Sequence, residues 1–133
     1  MIVVDASVVA VALGDDGPEG DQLRSRLRTE HRLAAPELLD LEVVSVLRGL
    51  QRSGQLDQRR AEQALADLIR LPLERAAHRP LLSRCWELRD NLTAYDAAYV
   101  ALAEVLETTL LTADARLART NGPHCPIELI AST

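Results

Sequence analysis

Apolar positions along the chain follow two alternating rhythms. Short β-branched or leucine-rich runs predict strands: Ile2-Val3-Val4, Arg32-Leu33-Ala34-Ala35 stopped by Pro36, Leu71-Pro72-Leu73, Thr109-Leu110-Leu111-Thr112 and Ile127-Glu128-Leu129-Ile130. The proline in the third run assigns it to a sheet edge or a strand start. Helical spacing takes over between these runs. Residues 57–70 place Ala61, Ala64, Leu65, Leu68 and Ile69 on one amphipathic stripe, and the preceding helix over 37–52 stops before Gly54. Pro80 suits the first turn of a helix carrying Leu81, Leu82, Cys85, Trp86 and Leu88. Residues 95–106 are apolar on nearly every side, so that helix should be largely buried. The stretch Gly17-Pro18-Glu19-Gly20 is the expected mobile loop. No repeat or linker interrupts the pattern, and a single domain over 1–133 is expected.

Strands alternating with helices imply right-handed crossovers. The expected fold is α/β, a three-layer α/β/α sandwich with a parallel four- to five-stranded sheet. Ligands bind such sheets beyond the carboxyl ends of the strands.

Composition narrows the chemistry. All 15 basic residues are Arg, and no Lys is present. A P-loop, Schiff-base chemistry and a protein kinase each need a Lys and are thereby excluded. The net charge is −5, which opposes binding to a polyanion unless cations neutralise some of the acids. Cys85 and Cys125 form no Cys-x-x-Cys pair, so no zinc knuckle or thioredoxin motif exists, and Cys85 reads as a buried thiol. No run approaches the ~18 apolar residues of a membrane span, and the start lacks a basic leader. A cytoplasmic protein with no membrane partner is expected.

Four acids fall at the carboxyl edge of the predicted sheet. Asp5 follows the first strand, Glu42 lies in the second turn of the helix after the second strand, Asp96 opens the long apolar helix, and Asp114 follows the fourth strand. Each has a plain structural reading as well. Asp5 and Asp114 can cap helices, and Thr93-Ala94-Tyr95-Asp96 matches a capping box. An Arg partner can satisfy Glu42, although its apolar neighbours imply a costly partly buried charge. Taken together, four crowded carboxylates repel one another, and no Lys or obvious Arg stands between them. Their natural counter-charge is a hard divalent cation, Mg²⁺ or Mn²⁺, held by oxygen ligands alone. Carboxylate-bound Mg²⁺ ions are standard apparatus for phosphodiester cleavage. Two of them would move the formal charge from −5 to −1.

Four stretches carry a family resemblance: Ile2-Val3-Val4-Asp5-Ala6-Ser7; Ala35-Pro36-Glu37-Leu38-Leu39-Asp40-Leu41-Glu42-Val43 with Leu47-Arg48; Tyr95-Asp96-Ala97-Ala98-Tyr99-Val100-Ala101-Leu102-Ala103; and Leu110-Leu111-Thr112-Ala113-Asp114-Ala115-Arg116-Leu117. In this order the chain resembles the PIN-domain ribonucleases, in particular the VapC-type toxins of bacterial type II toxin–antitoxin pairs. The resemblance implies a PIN-like fold and an Mg²⁺- or Mn²⁺-dependent endoribonuclease acting as a toxin. It assigns Asp5, Glu42, Asp96 and Asp114 to the family's metal-holding acidic quartet. Ser7 and Thr112 match the small hydroxyl positions beside it. Asp40 rivals Glu42, but positions two apart on a helix point about 200° apart, so only one can face the site. The spacing to Leu47-Arg48 favours Glu42. Arg116 is the candidate substrate-phosphate contact, with structural pairing an equal reading. The resemblance also implies an RNA substrate, a VapB-type antitoxin partner that lays an arm across the acidic groove, and a homodimer.

His31, His78 and His124 show no ligand spacing and read as ordinary surface or packing residues. Arg24, Arg26, Arg28 and Arg32 form either a phosphate-binding face or, more commonly for such a run, a solvated helix surface. Other phosphotransfer families on parallel sheets fail on missing residues: Ser7 stands where a haloacid-dehalogenase-like phosphatase needs Asp, and no G-x-G-x-x-G exists. The rival from another class is a catalytically inactive PIN-fold binding module whose acids serve only as caps and ion pairs.

Overall fold

The computed structural model describes residues 1–130. Five strands form one parallel sheet: β1 (Ile2–Val4), β2 (Leu33–Pro36), β3 (Leu73–Ala76), β4 (Leu110–Thr112) and β5 (Ile127–Leu129), in the order β3-β2-β1-β4-β5. β1 sits at the centre, paired through Val3 to Ala34 on one side and Leu110 on the other. Val3, Val4, Leu110 and Leu111 are fully buried, as β-branched and leucine strands covered on both faces should be.

The helices are α1 (Ala6–Gly14), α2 (Pro18–Arg28), α3 (Leu38–Arg52), α4 (Gln58–Arg70), α5 (Leu82–Glu87), α6 (Ala94–Val105) and α7 (Ala115–Arg119). A single 3₁₀ turn, Arg79–Leu81, precedes α5 and holds Pro80. α1 packs with α2, α3 and α4, while α6 lies against β1, β2 and β4 and carries α5. These are the helical layers of the expected sandwich. α6 is buried from Ala97 to Ala103, and its alanines let the helix sit close to the sheet.

Three expectations change. Gly17–Gly20 is not a mobile loop. Pro18 opens α2, and the Asp15 carboxylate accepts the backbone N–H groups of Gly17 (2.8 Å) and Gly20 (3.1 Å). A Cβ at Gly20 would collide with the Asp15 carbonyl oxygen, so glycine is there for close approach. The third strand starts at Leu73, beyond Pro72, because proline has no N–H to give the ladder. Cys85 is only half-buried, and Leu82 and Trp86 face solvent instead of joining the core. Among the described residues no helix is long and apolar enough to cross a membrane.

His78 has a specific job. Its Nε2 accepts the Leu38 backbone N–H at 2.9 Å, satisfying a free donor at the start of α3. The arginine run is largely committed to structure. Arg24 donates to the Ala12 and Asp15 carbonyls, Arg26 pairs with Glu128 and Glu30, and Arg32 pairs with Glu74. It is therefore not an open phosphate-binding face.

Candidate active site

β1 is followed in sequence by β2 on one side and is flanked by β4 on the other. The carboxyl ends of β1 and β4 therefore open the sheet's switch point, where parallel sheets bind ligands. Asp5 sits there, 6% exposed. One carboxylate oxygen accepts the Ser7 hydroxyl (2.6 Å) and the Val8 N–H (3.1 Å), so Asp5 does cap α1. The other oxygen accepts the hydroxyl of Thr112, the last residue of β4. Thr112 Oγ1 in turn accepts the Asp114 N–H at 3.0 Å, and Ser7 Oγ accepts the Ala113 N–H at 3.2 Å. The two hydroxyls thus tie the ends of β1 and β4 together around one carboxylate.

α3 brings Glu42 and α6 brings Asp96. Tyr99, one turn after Asp96, donates its hydroxyl to Glu42 Oε1 at 2.5 Å. This partner is absent from the reading of the sequence, where Tyr99 counts only as an apolar position. Asp40, the rival acid, points elsewhere. It is held by Arg75 of β3 through two contacts of 2.8 and 3.0 Å.

Asp114 caps α7, accepting the Arg116 N–H at 2.9 Å. The Arg116 guanidinium lies between Asp96 (3.3 Å) and Asp114 (3.4 Å), so the expectation of no arginine among the acids does not hold at this rim. Arg116 is 74% exposed in its side chain.

The electrostatics report how close the acids are. Burial pushes the Asp5 carboxyl above its ordinary value, partly offset by its hydrogen bonds from Ser7, Thr112 and Val8, and repulsion from Asp96 adds to the rise. Glu42 is raised by burial, lowered by Tyr99, and raised again by Asp96 and Asp5. Asp96 is raised by burial and by Asp114, against the pull of Arg116. The Tyr99 hydroxyl is held neutral by burial and by Glu42, Asp5 and Asp96. Asp5, Glu42 and Asp96 therefore feel one another's charge, and Asp96 also feels Asp114.

Their donor chemistry, carboxylate and hydroxyl oxygen with no nitrogen or sulfur, fits a hard divalent cation. Their present orientation is a separate matter. Among the described residues, no three His, Cys, Asp or Glu side chains form a set that could hold a metal ion. Asp5 and Glu42 are turned to hydroxyls, and Asp96 and Asp114 to Arg116.

Residues 2–123 match the PIN domain model. The chain belongs to the PIN-domain family. Among PIN proteins it is similar to Ribonuclease VapC9 of Mycobacterium tuberculosis, 45% identical over 98% of both chains. It is 43% identical to Ribonuclease VapC1 of the same organism over 96% of both chains. The PIN fold is also that of the crystal structure of M. tuberculosis VapC20, described as a sarcin–ricin-loop-cleaving toxin. That likeness has a TM-score of 0.64 at 14% identity and covers 83% of this chain and 87% of VapC20. A Pyrobaculum aerophilum structure gives a TM-score of 0.68 at 24% identity, covering 88% and 82%.

Proposed function

We propose that this PIN protein is an Mg²⁺- or Mn²⁺-dependent endoribonuclease and the toxin of a toxin–antitoxin pair, acting in the cytoplasm. The observation that carries the reading is the acidic pocket at the β1–β4 edge, where Asp5 and Glu42 are oriented by hydroxyls and left uncompensated by arginine. Its VapC ribonuclease relatives support the activity.

Asp5, Glu42, Asp96 and Asp114 would hold the cation. When bound, it supplies charge stabilisation to the phosphate and activates water at neutral pH. The chain's own residues do the positioning. Ser7 and Thr112 fix the Asp5 carboxylate, and Tyr99 fixes Glu42. Arg116 sits at the solvent-facing rim, where it can exchange its carboxylates for a substrate phosphate. A small VapB-type antitoxin and a second copy of the chain are the proposed protein partners.

A second reading, a PIN-fold binding module without catalysis, would rest on the helix caps that Asp5 and Asp114 form and on the Arg116 ion pairs of Asp96 and Asp114. Incubating purified, antitoxin-free protein with total RNA separates the two. The expected result is cleavage that needs added Mg²⁺ or Mn²⁺, stops with chelator, and is lost in Asp5→Asn and Asp96→Asn. No cleavage with either metal leaves only the binding module, and full cleavage by both variants would remove Asp5 and Asp96 from the reaction.

A further inference from the structure

Among the described residues Arg116 is the only arginine that pairs with the four acids. A single nitrogen makes both contacts. Arg116 Nη2 stands 3.3 Å from Asp96 Oδ2 and 3.4 Å from Asp114 Oδ2. The cause lies in the start of α7. Asp114 caps that helix by accepting the Arg116 backbone N–H on Oδ1 at 2.9 Å. Asp114 therefore meets residue 116 through both carboxylate oxygens, one held by the backbone and one by the side chain.

The two contacts differ in kind. The cap belongs to the fold and stays with it. The guanidinium contact is made by a side chain that is 74% exposed, and pairs of that sort are weak and readily exchanged. Oδ2 of Asp114 is thus the oxygen that the cap leaves for a cation, and Arg116 occupies it. Mg²⁺ takes its oxygens at about 2.1 Å, well inside the reach of Nη2, and its charge repels a guanidinium. One gap cannot hold both. Asp5 and Glu42 face no such rivalry, because a neutral hydroxyl can stay on a carboxylate oxygen whose second lone pair goes to a metal.

We propose that Arg116 is a built-in competitor of the divalent cation. Its guanidinium closes the gap between Asp96 and Asp114 until the cation displaces it, and only then is it free to meet a substrate phosphate. This rests on the metal-dependent reading of the acidic site and adds an order to it, cation first and phosphate second. Arg116 thereby sets the cation concentration at which the site fills, a regulatory role separate from its contact with phosphate.

The test is a Mn²⁺ titration of the full-length, antitoxin-free chain, with free Mn²⁺ read from its electron paramagnetic resonance signal. It needs neither RNA nor turnover. Arg116→Gln should bind Mn²⁺ about fivefold more tightly than wild type, the scale of one exposed ion pair lost. Arg119→Gln removes the same charge from an exposed position three residues further along α7, which pairs with none of the four acids among the described residues. It should bind Mn²⁺ as wild type does. The proposal is overturned by equal or weaker binding in Arg116→Gln, or by no Mn²⁺ binding in any of the three proteins. It is also overturned if Arg119→Gln tightens binding as much as Arg116→Gln, which would reduce the effect to net charge. Failure of the ribonuclease reading shows differently, as Mn²⁺ bound without cleavage of RNA. Failure of the competition shows as metal-dependent cleavage with a Mn²⁺ affinity indifferent to residue 116.

Discussion

The inner and outer halves of the acidic site are held by different physics. Asp5 and Glu42 are oriented by the neutral hydroxyls of Ser7, Thr112 and Tyr99. Asp96 and Asp114 share a single exposed guanidinium, Arg116. A hydroxyl aims a carboxylate while leaving its charge intact; an arginine aims it and cancels the charge. The inner pair is preset, and no cation cancels its charge among the described residues. The outer pair is exchangeable, since an exposed ion pair is worth at most about 1 kcal/mol and a phosphate can replace it.

The sharpest way to break this comparison is to remove one member from each half. Asp5→Asn should lower kcat/KM about 10²–10³-fold, the scale of losing one preorganised electrostatic group. Arg116→Ala should cost less than about tenfold, as expected for a displaceable exposed contact. Equal losses in the two variants would end the distinction between halves.

Tyr99→Phe tests the inner half alone. It removes only the oxygen that aims Glu42, and should lower kcat about 10–100-fold, the usual effect of losing a residue that orients a ligand. Circular dichroism should be unchanged, because the ring remains in the core.

The inner half also predicts a sign for stability. Burial raises the carboxyls of Asp5 and Glu42. Such groups favour the folded state while protonated, and that contribution is lost as pH rises through the raised folded value. In their ionised form both acids therefore oppose folding. Thermal melts should show Asp5→Asn above wild type at pH 7, with the gap closing as pH falls toward the ordinary carboxyl value of 3.8. A lower Tm for Asp5→Asn at pH 7 would contradict the electrostatic account of the site.

The smallest effect concerns the acid two residues from Glu42. Asp40 pairs with Arg75 on the edge strand, and both are partly solvated. Asp40→Ala should lower stability by about 1 kcal/mol in a denaturant titration and leave cleavage untouched. Lost cleavage would mean that α3 presents the wrong acid in the arrangement described.

What could be read along the chain was what depends on neighbours in sequence. The β-branched Ile2-Val3-Val4 run, the position of Asp5 and Asp114 just past their strands, and the stripe of α4 all follow from local spacing. The opposite facing of Asp40 and Glu42 follows from helical geometry alone. Contacts between distant residues were not legible. Tyr99 and Glu42 are separated by 57 positions, and nothing around Tyr99 marks its hydroxyl as a partner. The same holds for Arg26 with Glu128, 102 positions apart, which removes Arg26 from any basic face. β3 was obscured for another reason. Its Leu73-Glu74-Arg75-Ala76 segment lacks a strand's apolar alternation, because an edge strand can carry a charged pair such as Arg75–Asp40 in place of a second buried face. The start of α2 is not legible because Gly-Pro marks a loop or a helix entry equally well, and only the Asp15 carboxylate decides between them.

α6 is at once the wall of the interior and the mount for Asp96 and Tyr99. Its inward side carries alanines buried from solvent, and the helix lies against three strands. Swelling one of those small side chains, for instance Ala101→Val, has to lift the whole rod away from the strands. A substitution hidden from solvent and far from any reacting atom would then register first as a loss of turnover.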